Sequence, residues 1–309
     1  MRNIYTIGET VLDILFRNHE PFTAKAGGAC LNTAVTLGRL GHNVQLISEY
    51  GLDEVGNYIE HFLNDNNVLT DYVYRYIDGK SALALAFLNE NNDASYDFYK
   101  IYPEDRLNTK FPEIKQDDIV LFGSFYAITV EVRRKLLEFI KAAKKNKAIV
   151  IYDPNFRKPH LHDLKWLKPM IEENIGLARI VRGSNEDFTL IFGTGNSKET
   201  YEILHEKTPV LLYTANTKGV FLHTPKLEKQ FPVKKINPIS TIGAGDNFNA
   251  GIIYSLMEYN IKYKDLPHMK EEEWKKIVEN GVEFASQVCM SYDNYISAET
   301  VKSFKTIKN

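Results

Sequence analysis

The residues best suited to chemistry lie late in the chain, where Thr241-Ile242-Gly243-Ala244-Gly245-Asp246 runs into Asn247-Phe248-Asn249-Ala250-Gly251. Small residues at 243–245 let backbone approach a ligand closely. The apolar continuation through Ile252, Ile253, Leu256 and Met257 predicts a helix that opens at this point. Amides at a helix start lack intrahelical acceptors and carry the positive end of the helix dipole, a setting that suits a phosphate. Phosphoryl transfer asks a protein for in-line positioning, charge stabilisation and a group to accept a hydroxyl proton. Asp246 stands where it could accept that proton, or where it merely complements the dipole; both readings fit the residues. The loop is not a Walker A sequence, since no G-x-x-x-x-G-K-[S/T] occurs, and protein-kinase signatures are also absent. It follows an irregular Asn237-Pro238 segment rather than the first strand of a βαβ unit, so it is no dinucleotide fingerprint either.

A second glycine group, Ala26-Gly27-Gly28-Ala29-Cys30-Leu31-Asn32, precedes an amphipathic segment that carries Val35, Leu37 and Leu40 and ends at Gly41. A tight turn into a helix explains these glycines as well as ligand contact does.

Positioning such loops requires a scaffold, and the hydrophobic pattern describes one. Apolar runs at Ile4–Ile7, Val44–Ser48, Ile119–Phe122, Ala148–Tyr152, Ile180–Val181 and Val210–Tyr213 read as buried strands. Helical periods separate them, as in Val130–Lys145 with Val132, Leu136, Phe139, Ile140 and Ala143 on one side. This alternation predicts a doubly wound, mostly parallel α/β sheet flanked by helices. Tyr72–Tyr76, Ala82–Leu88 and Tyr96–Tyr102, joined by Asp78-Gly79 and Asn91-Asn92-Asp93 turn signals, break the rhythm and read as antiparallel strands. The expected division is an α/β core of residues 1–12, 26–70 and 104–309, with a small β-sheet lid of 13–25 and 71–103.

The 309 residues are 44% apolar and 25% charged, a balance that supports a core-driven globular fold. Lys plus Arg (38) nearly match Asp plus Glu (40), which argues against nucleic acid as the main partner. Lys141, Lys144, Lys145 and Lys147 are read as one solvated helix face. The two cysteines, Cys30 and Cys289, indicate neither a disulfide framework nor a zinc site. No stretch of 18 apolar residues occurs and the N-terminus shows no leader pattern, so a cytoplasmic location without membrane contact is expected.

Taken together, Gly27-Gly28-x3-Asn32 and Gly243-Ala244-Gly245-Asp246 resemble the two signatures of the PfkB/ribokinase family of carbohydrate kinases. Gly8-Glu9-x3-Asp13, Gly123-Ser124 and Asp153-Pro154-Asn155-Phe156-Arg157 look like further landmarks of that family in the expected order. The resemblance implies an ATP- and Mg²⁺-dependent kinase, fructokinase-like, in which a β-sheet lid closes over the sugar and pairs two copies into a homodimer. It assigns Asp246 as catalytic base, with the amides of Gly243, Ala244 and Gly245 as the anion hole. Asp13, Gly27, Gly28 and Asn32 fall where the family binds sugar hydroxyls. Arg157 would reach phosphate or substrate, although a structural ion pair is the alternative.

The departures from the pattern are specific. Where related kinases have N-x-x-E, this chain has Asn185-Glu186-Asp187-Phe188, leaving Glu186 or Asp187 to hold magnesium through water. Ser240 replaces an aspartate, which leaves dependence on a monovalent cation open. Thr214-Ala215-Asn216, with Lys218-Gly219 following, stands for the nucleotide-side T-x-G, so Thr214 and Gly219, together with Asn185 and Asn280, are expected on the nucleotide side. The piece Ser95-Tyr96-Asp97-Phe98-Tyr99-Lys100 resembles the F-x-F-Y-R piece of fructokinases and 2-keto-3-deoxygluconate kinases, and places Phe98 and Lys100 on the substrate. Lysine in place of arginine offers a point charge rather than a fork, which favours a neutral ketohexose, with fructose first, over a sugar acid. His160 and His162 lack a third metal ligand and read as surface residues. The competing readings are a sugar-acid or nucleoside kinase of the same family, a sugar- or nucleotide-binding protein without catalysis, and a dehydrogenase on a doubly wound sheet.

Overall fold

A computed structural model describes residues 2–88 and 94–306. The chain opens with β1 (Ile4–Ile7), a hairpin of β2 (Val11–Arg17) and β3 (Glu20–Gly27), then α1 (Ala29–Arg39), β4 (Val44–Gly51), α2 (Glu54–Asp65) and β5 (Val68–Tyr76). A second hairpin, β6 (Lys80–Leu88) and β7 (Ala94–Ile101), precedes a run of alternating elements: β8 (Ile119–Gly123), α3 (Val130–Lys145), β9 (Ile149–Asp153), α4 (Leu164–Leu177), β10 (Ile180–Ser184), α5 (Asn185–Phe192), α6 (Ser197–Leu204) and β11 (Val210–Thr214). An antiparallel pair, β12 (Val220–Thr224) and β13 (Leu227–Phe231), is followed by α7 (Ala244–Glu258), α8 (Glu271–Cys289) and α9 (Ala298–Thr306).

The large sheet has the order β13-β12-β11-β10-β9-β8-β1-β4-β5. Its strands from β11 to β5 pair in parallel, and β12 and β13 close one edge in antiparallel fashion. Both faces are covered, as buried parallel strands require. One face packs α1, α2, α7 and α8 through Leu31, Val35, Ile59, Ile252 and Trp274. The other packs α3, α4 and α5 through Leu136, Ile140, Ile171 and Phe188. Because the strand order turns back between β1 and β8, a crevice opens beyond the carboxyl ends of these strands, where doubly wound sheets take their ligands. Among the described residues no helix is long and apolar enough to cross a membrane.

The small sheet has the order β3-β2-β6-β7. Two expectations need correction. Tyr72–Tyr76 does not belong to it: those residues end β5, which pairs in parallel with β4 from Val44↔Val68 to Gly51↔Tyr76. Helix α2 is the crossover that a parallel neighbour demands. Nor is the small sheet wholly antiparallel, since β2 and β6 run parallel at its centre. The expected Asn91-Asn92-Asp93 turn lies outside the described residues.

Candidate active site

The N-termini of α1 and α7 converge over the carboxyl ends of β8 and β9, and between them lies a recess lined by Cys30, Gly123, Ser124, Asp153, Asp246 and Asn249. Gly28 caps α1 at φ 125, a conformation open to glycine, and an added Cβ would overlap the Glu9 carbonyl. That turn aims Asn32 across the gap, where its side-chain amide donates to the Asp246 carboxylate at 2.8 Å. The Asn32 side-chain oxygen is buried without a partner, and so is that of Asn249. Buried polar atoms are rarely left orphaned, and these two are available to a ligand.

Gly243, in left-handed conformation at φ 78, starts α7 and packs against the Asn294 carbonyl. Asn247 fixes this turn, since its side-chain amide donates to the carbonyls of both Gly243 and Asn294 at 2.8 Å. The Ala244 amide donates to the Thr241 carbonyl at 3.3 Å, so it is turned into the loop. Among the described residues, the amides of Gly243, Gly245 and Asp246 have no backbone acceptor. Of the three amides expected to form an anion hole, those of Gly243 and Gly245 are open and that of Ala244 is engaged, while Asp246's own amide is also open. Ser240 braces the approach by accepting from the Ile242 amide at 3.2 Å.

Directly behind this loop lies Arg182, buried in the middle of β10, whose guanidinium comes within 2.7 Å of where a Cβ on Gly245 would sit. It donates to Asp153 at 2.8 Å and to the Thr214 hydroxyl at 3.0 Å, while Asn249 donates to the same Asp153 oxygen at 2.7 Å. The Arg182 charge is matched by Asp153, so it is the open amides at the helix start that favour an anion here, and water exclusion strengthens the effect. Burial pushes the Asp246 carboxyl up to about 6, with the Asn32 hydrogen bond opposing and Asp153 adding to the rise; Arg157 and Arg182 pull it back. Such a carboxylate is ionised at neutral pH yet basic enough to take a proton. The Cys30 thiol in the same recess is pushed well up by burial and by Asp246, which removes it as a nucleophile.

The small sheet adjoins this end of α1, since β3 ends at Gly27 and Gly28 caps the helix. Its register places Asp13 beside Lys25 on one flank and Ala84 on the other, and Ala84 beside Phe98. Paired residues share a face, so Asp13, Phe98 and Lys100 look the same way, over a floor kept shallow by Ala82, Ala84 and Ala86. The Asp13 carboxylate lies on Gly27, where an added Cβ would overlap it, and no donor reaches it among the described residues. Burial alone pushes it up to about 7. Lys25 turns away from Asp13 to Asp293 and the Tyr292 carbonyl, at 2.5 and 3.0 Å.

Residues 1–301 match the pfkB family of carbohydrate kinases. The chain belongs to that family. Similar curated proteins include the probable chloroplastic fructokinase-6 of Arabidopsis thaliana, 30% identical over 262 residues, 82% of this chain and 66% of the relative. The chain therefore spans about two thirds of that relative's length. The aminoimidazole riboside kinase of Salmonella typhimurium is 22% identical over 268 residues, covering 84% of this chain and 82% of that one. In fold, the chain is similar to a fructokinase from Vibrio cholerae O395 in fructose-, ADP- and calcium-bound form, at TM-score 0.84 and 19% identity over 98% of this chain and 99% of the other. An aminoimidazole riboside kinase from Salmonella enterica, complexed with its riboside and an ATP analog, gives the same TM-score, identity and coverage. These likenesses identify the ribokinase-like architecture.

Not every expected residue of this pfkB chain reaches the recess. Asp187 is committed to capping α5: its carboxylate accepts from the Ser184 amide and hydroxyl and from the Phe156 amide, at 2.6–2.7 Å. It is withdrawn as a metal ligand, which leaves Glu186, half exposed on the first turn of α5 beside Asn185 and 3.9 Å from Lys158. No group of three or more His, Cys, Asp or Glu among the described residues could cage a metal. Magnesium fits this family member only as an ion carried largely by phosphate oxygens and water. Gly219 is a turn glycine at φ 101 before β12, and its Cβ would overlap the Phe231 carbonyl. Asn280 sits away from the recess: on α8, it donates to Ser255 on the far half of α7 and to Tyr259 just beyond that helix. Nine residues of helix separate Ser255 from Asp246, about 14 Å at 1.5 Å per residue. Arg157 is exposed, and its charge reaches Asp246. His160 stacks on Phe125 at 3.9 Å.

The sequence reading missed Arg182 and Asn249 and gave Glu9 no role. A charged residue inside the apolar run Ile180–Ser184 was the available signal, because lone charges on buried strands are rare unless paired.

Proposed function

We propose that the protein transfers the γ-phosphoryl group of ATP to a hydroxyl of a small neutral sugar, fructose first among the candidates. The observation that carries this reading is a carboxylate raised to about 6, held by Asn32, at the first turn of α7 beside amides that have no backbone acceptor and are backed by Arg182. The sugar lies between the recess and the small sheet, with hydroxyls on Asp13 and on the unpartnered oxygen of Asn32. Asp246 takes the hydroxyl proton as the sugar oxygen bonds to phosphorus. The bond to the bridging oxygen of ADP breaks, and its charge departs with ADP. The amides of Gly243, Gly245 and Asp246 hold the charge on the transferring group, which is worth far more in a dry pocket than in water. Magnesium, held through Glu186 and water, would screen the phosphates. Thr214 acts through Arg182, and Arg157 reaches from the β9 loop toward the phosphoryl group.

The small sheet is the lid of this reading, closing to exclude water that would otherwise compete as acceptor. Its outer face, formed by Leu12, Ile14, Phe16, Leu83, Leu85, Phe87, Tyr99 and Ile101, is largely apolar and partly exposed, broken by Asp97 opposite Leu85, and suits pairing with a second copy.

The test is ADP release from ATP and Mg²⁺ with fructose, 2-keto-3-deoxygluconate, ribose, adenosine or no acceptor, in potassium and in sodium buffers. Release that depends on a neutral sugar supports the proposal. Equal release with every acceptor and with none would sink it.

A further inference from the structure

We propose that Glu9 makes this site selective for uncharged sugars by neutralising Lys100, the lid cation beside Asp13's neighbours. The inference rests on the sugar-kinase reading above and names the residue that sets its substrate class. Lys100 shares the inner face of the lid with Asp13 and Phe98, and lies on the end of β7 that reaches the core. Its ammonium is held by both Glu9 oxygens, at 2.7 and 2.8 Å. Glu9 also accepts from the Tyr102 hydroxyl, so three side chains tie this corner of the lid to the loop after β1.

The position is at the mouth of the recess. The Glu9 carbonyl packs against Gly28 at the start of α1, and the preceding Gly8 packs against the recess-lining Cys30. The Lys100 charge also reaches His160, which stacks on Phe125 next to the recess-lining Ser124, and lowers its pKa after burial. A substrate carboxylate that entered between Asp13 and Phe98 would meet Asp13, Glu9 and a lysine whose charge is already matched. Of the other lid cations on this face, Lys25 is matched by Asp293, and Arg17, at the far end of β2, packs over the rings of Phe22 and Tyr292. Arg157 lies on the β9 loop rather than the lid, and its charge is felt at Asp246, whose pKa it lowers. A neutral polyol loses nothing from this arrangement, because hydroxyls both donate to carboxylates and accept from the ammonium. An acidic sugar would have to displace Glu9 from Lys100 and would then face an unpaired carboxylate. Repulsion against the wrong ligand is a general route to specificity.

The experiment compares the parent with Glu9→Gln, Lys100→Met and the double variant. Two readouts are taken on fructose and on 2-keto-3-deoxygluconate: kcat/KM for ADP release, and sugar binding by calorimetry without ATP. The expected result is an acid-to-neutral ratio well below one in the parent. That ratio rises at least tenfold in Glu9→Gln, falls below the parent's in Lys100→Met, and loses the gain in the double variant. Far-UV circular dichroism checks that each variant folds. Should Glu9→Gln misfold, the Lys100→Met ratio decides alone. A ratio unchanged in the single variants, a gain that persists without Lys100, or a parent that prefers the acid would each overturn the proposal. Calorimetry separates this failure from failure of the kinase reading: if no acceptor stimulates ADP release, the binding ratios still report charge selection. Absence of binding by either sugar in every variant also counts against it.

Discussion

At the residue scale, Asp246 in the recess and Asp13 on the small sheet are held above their ordinary range by burial, to about 6 and about 7. As a base, Asp246 must be ionised, so kcat/KM for the acceptor sugar is expected to fall as pH drops through about 6. Asp13 adds an ionisation near 7, and Asp13→Asn is expected to leave the lower step alone on the acid limb. The same shifts set the sign for stability. A carboxyl with a folded pKa above its unfolded one stabilises fully below about pH 4 and loses that contribution as pH rises through its folded value. Asp246→Asn is therefore expected to be more stable than the parent above pH 6, by about 1–2 kcal/mol once screening by recess water is allowed for, while losing about 10³-fold in kcat. Thermal midpoints at pH 4.5 and 7.5 together with single-turnover rates check both. A variant equally stable at both pH values would contradict the shift, and one with undiminished kcat would remove Asp246 as the base. Asp246 and Asn32 were legible because glycines beside a helix start announce close ligand approach. Asp187 was misread although Ser184-Asn185-Glu186-Asp187 has the S-x-x-D form of a capping box, a local hydrogen-bonding pattern that competes with metal binding for the same oxygens.

At the element scale, the proposed transfer depends on how α7 begins. The left-handed turn at Gly243 leaves the amides of Gly245 and Asp246 facing outward, and Asn247 locks it against Asn294, while Thr36 on α1 donates to the Asn247 side-chain oxygen at 2.6 Å. Gly243→Ala would place a Cβ 2.7 Å from the Asn294 carbonyl in a backbone region that L-residues avoid. The expected cost is about 1–3 kcal/mol of stability, with a kcat loss of tenfold or more, because the amides rotate off the transferring group. Chemical denaturation and steady-state kinetics measure the two, and a variant with parental kcat would show that the turn does not position the anion hole. This helix start was readable from glycine spacing, and α3 was readable to the residue from its 3.6 period. The placement of β5 was not, because a half-buried tyrosine-rich strand has the same alternation in either sheet, and only the pairing with β4 decides. The bonds of Asn280 were not legible either: a polar residue on an amphipathic helix does not reveal which neighbour it bonds.

At the scale of the whole molecule, the proposed function divides the work between the two sheets, with phosphate chemistry on the large one and sugar enclosure on the small one. A four-stranded sheet with an apolar outer face is a weak unit by itself, since strands need a covered face for stability. Phe16 and Phe87 stack at 4.9 Å on that face, and beside them Tyr99 and Ile101 are 57% and 63% exposed. Covering this face with a second copy's lid would bury the patch and hold the inner face, with Asp13, Phe98 and Lys100, in register over the recess. A lasting pair needs about 1,000 Å² or more of buried surface, within reach of two such faces packed together. The double variant Phe87→Glu/Ile101→Glu puts two like charges per copy into the centre of that contact. Sedimentation velocity is expected to show the parent as a dimer and the variant as a folded monomer. KM for the sugar is expected to rise several-fold, while acceptor-independent ATP hydrolysis increases relative to transfer, because an unsupported lid admits water. A parent that sediments as a monomer across micromolar concentrations would remove the pairing. A monomeric variant with unchanged sugar KM would show that the lid keeps its register alone, through Lys25–Asp293 at one flank and Lys100–Glu9 at the other.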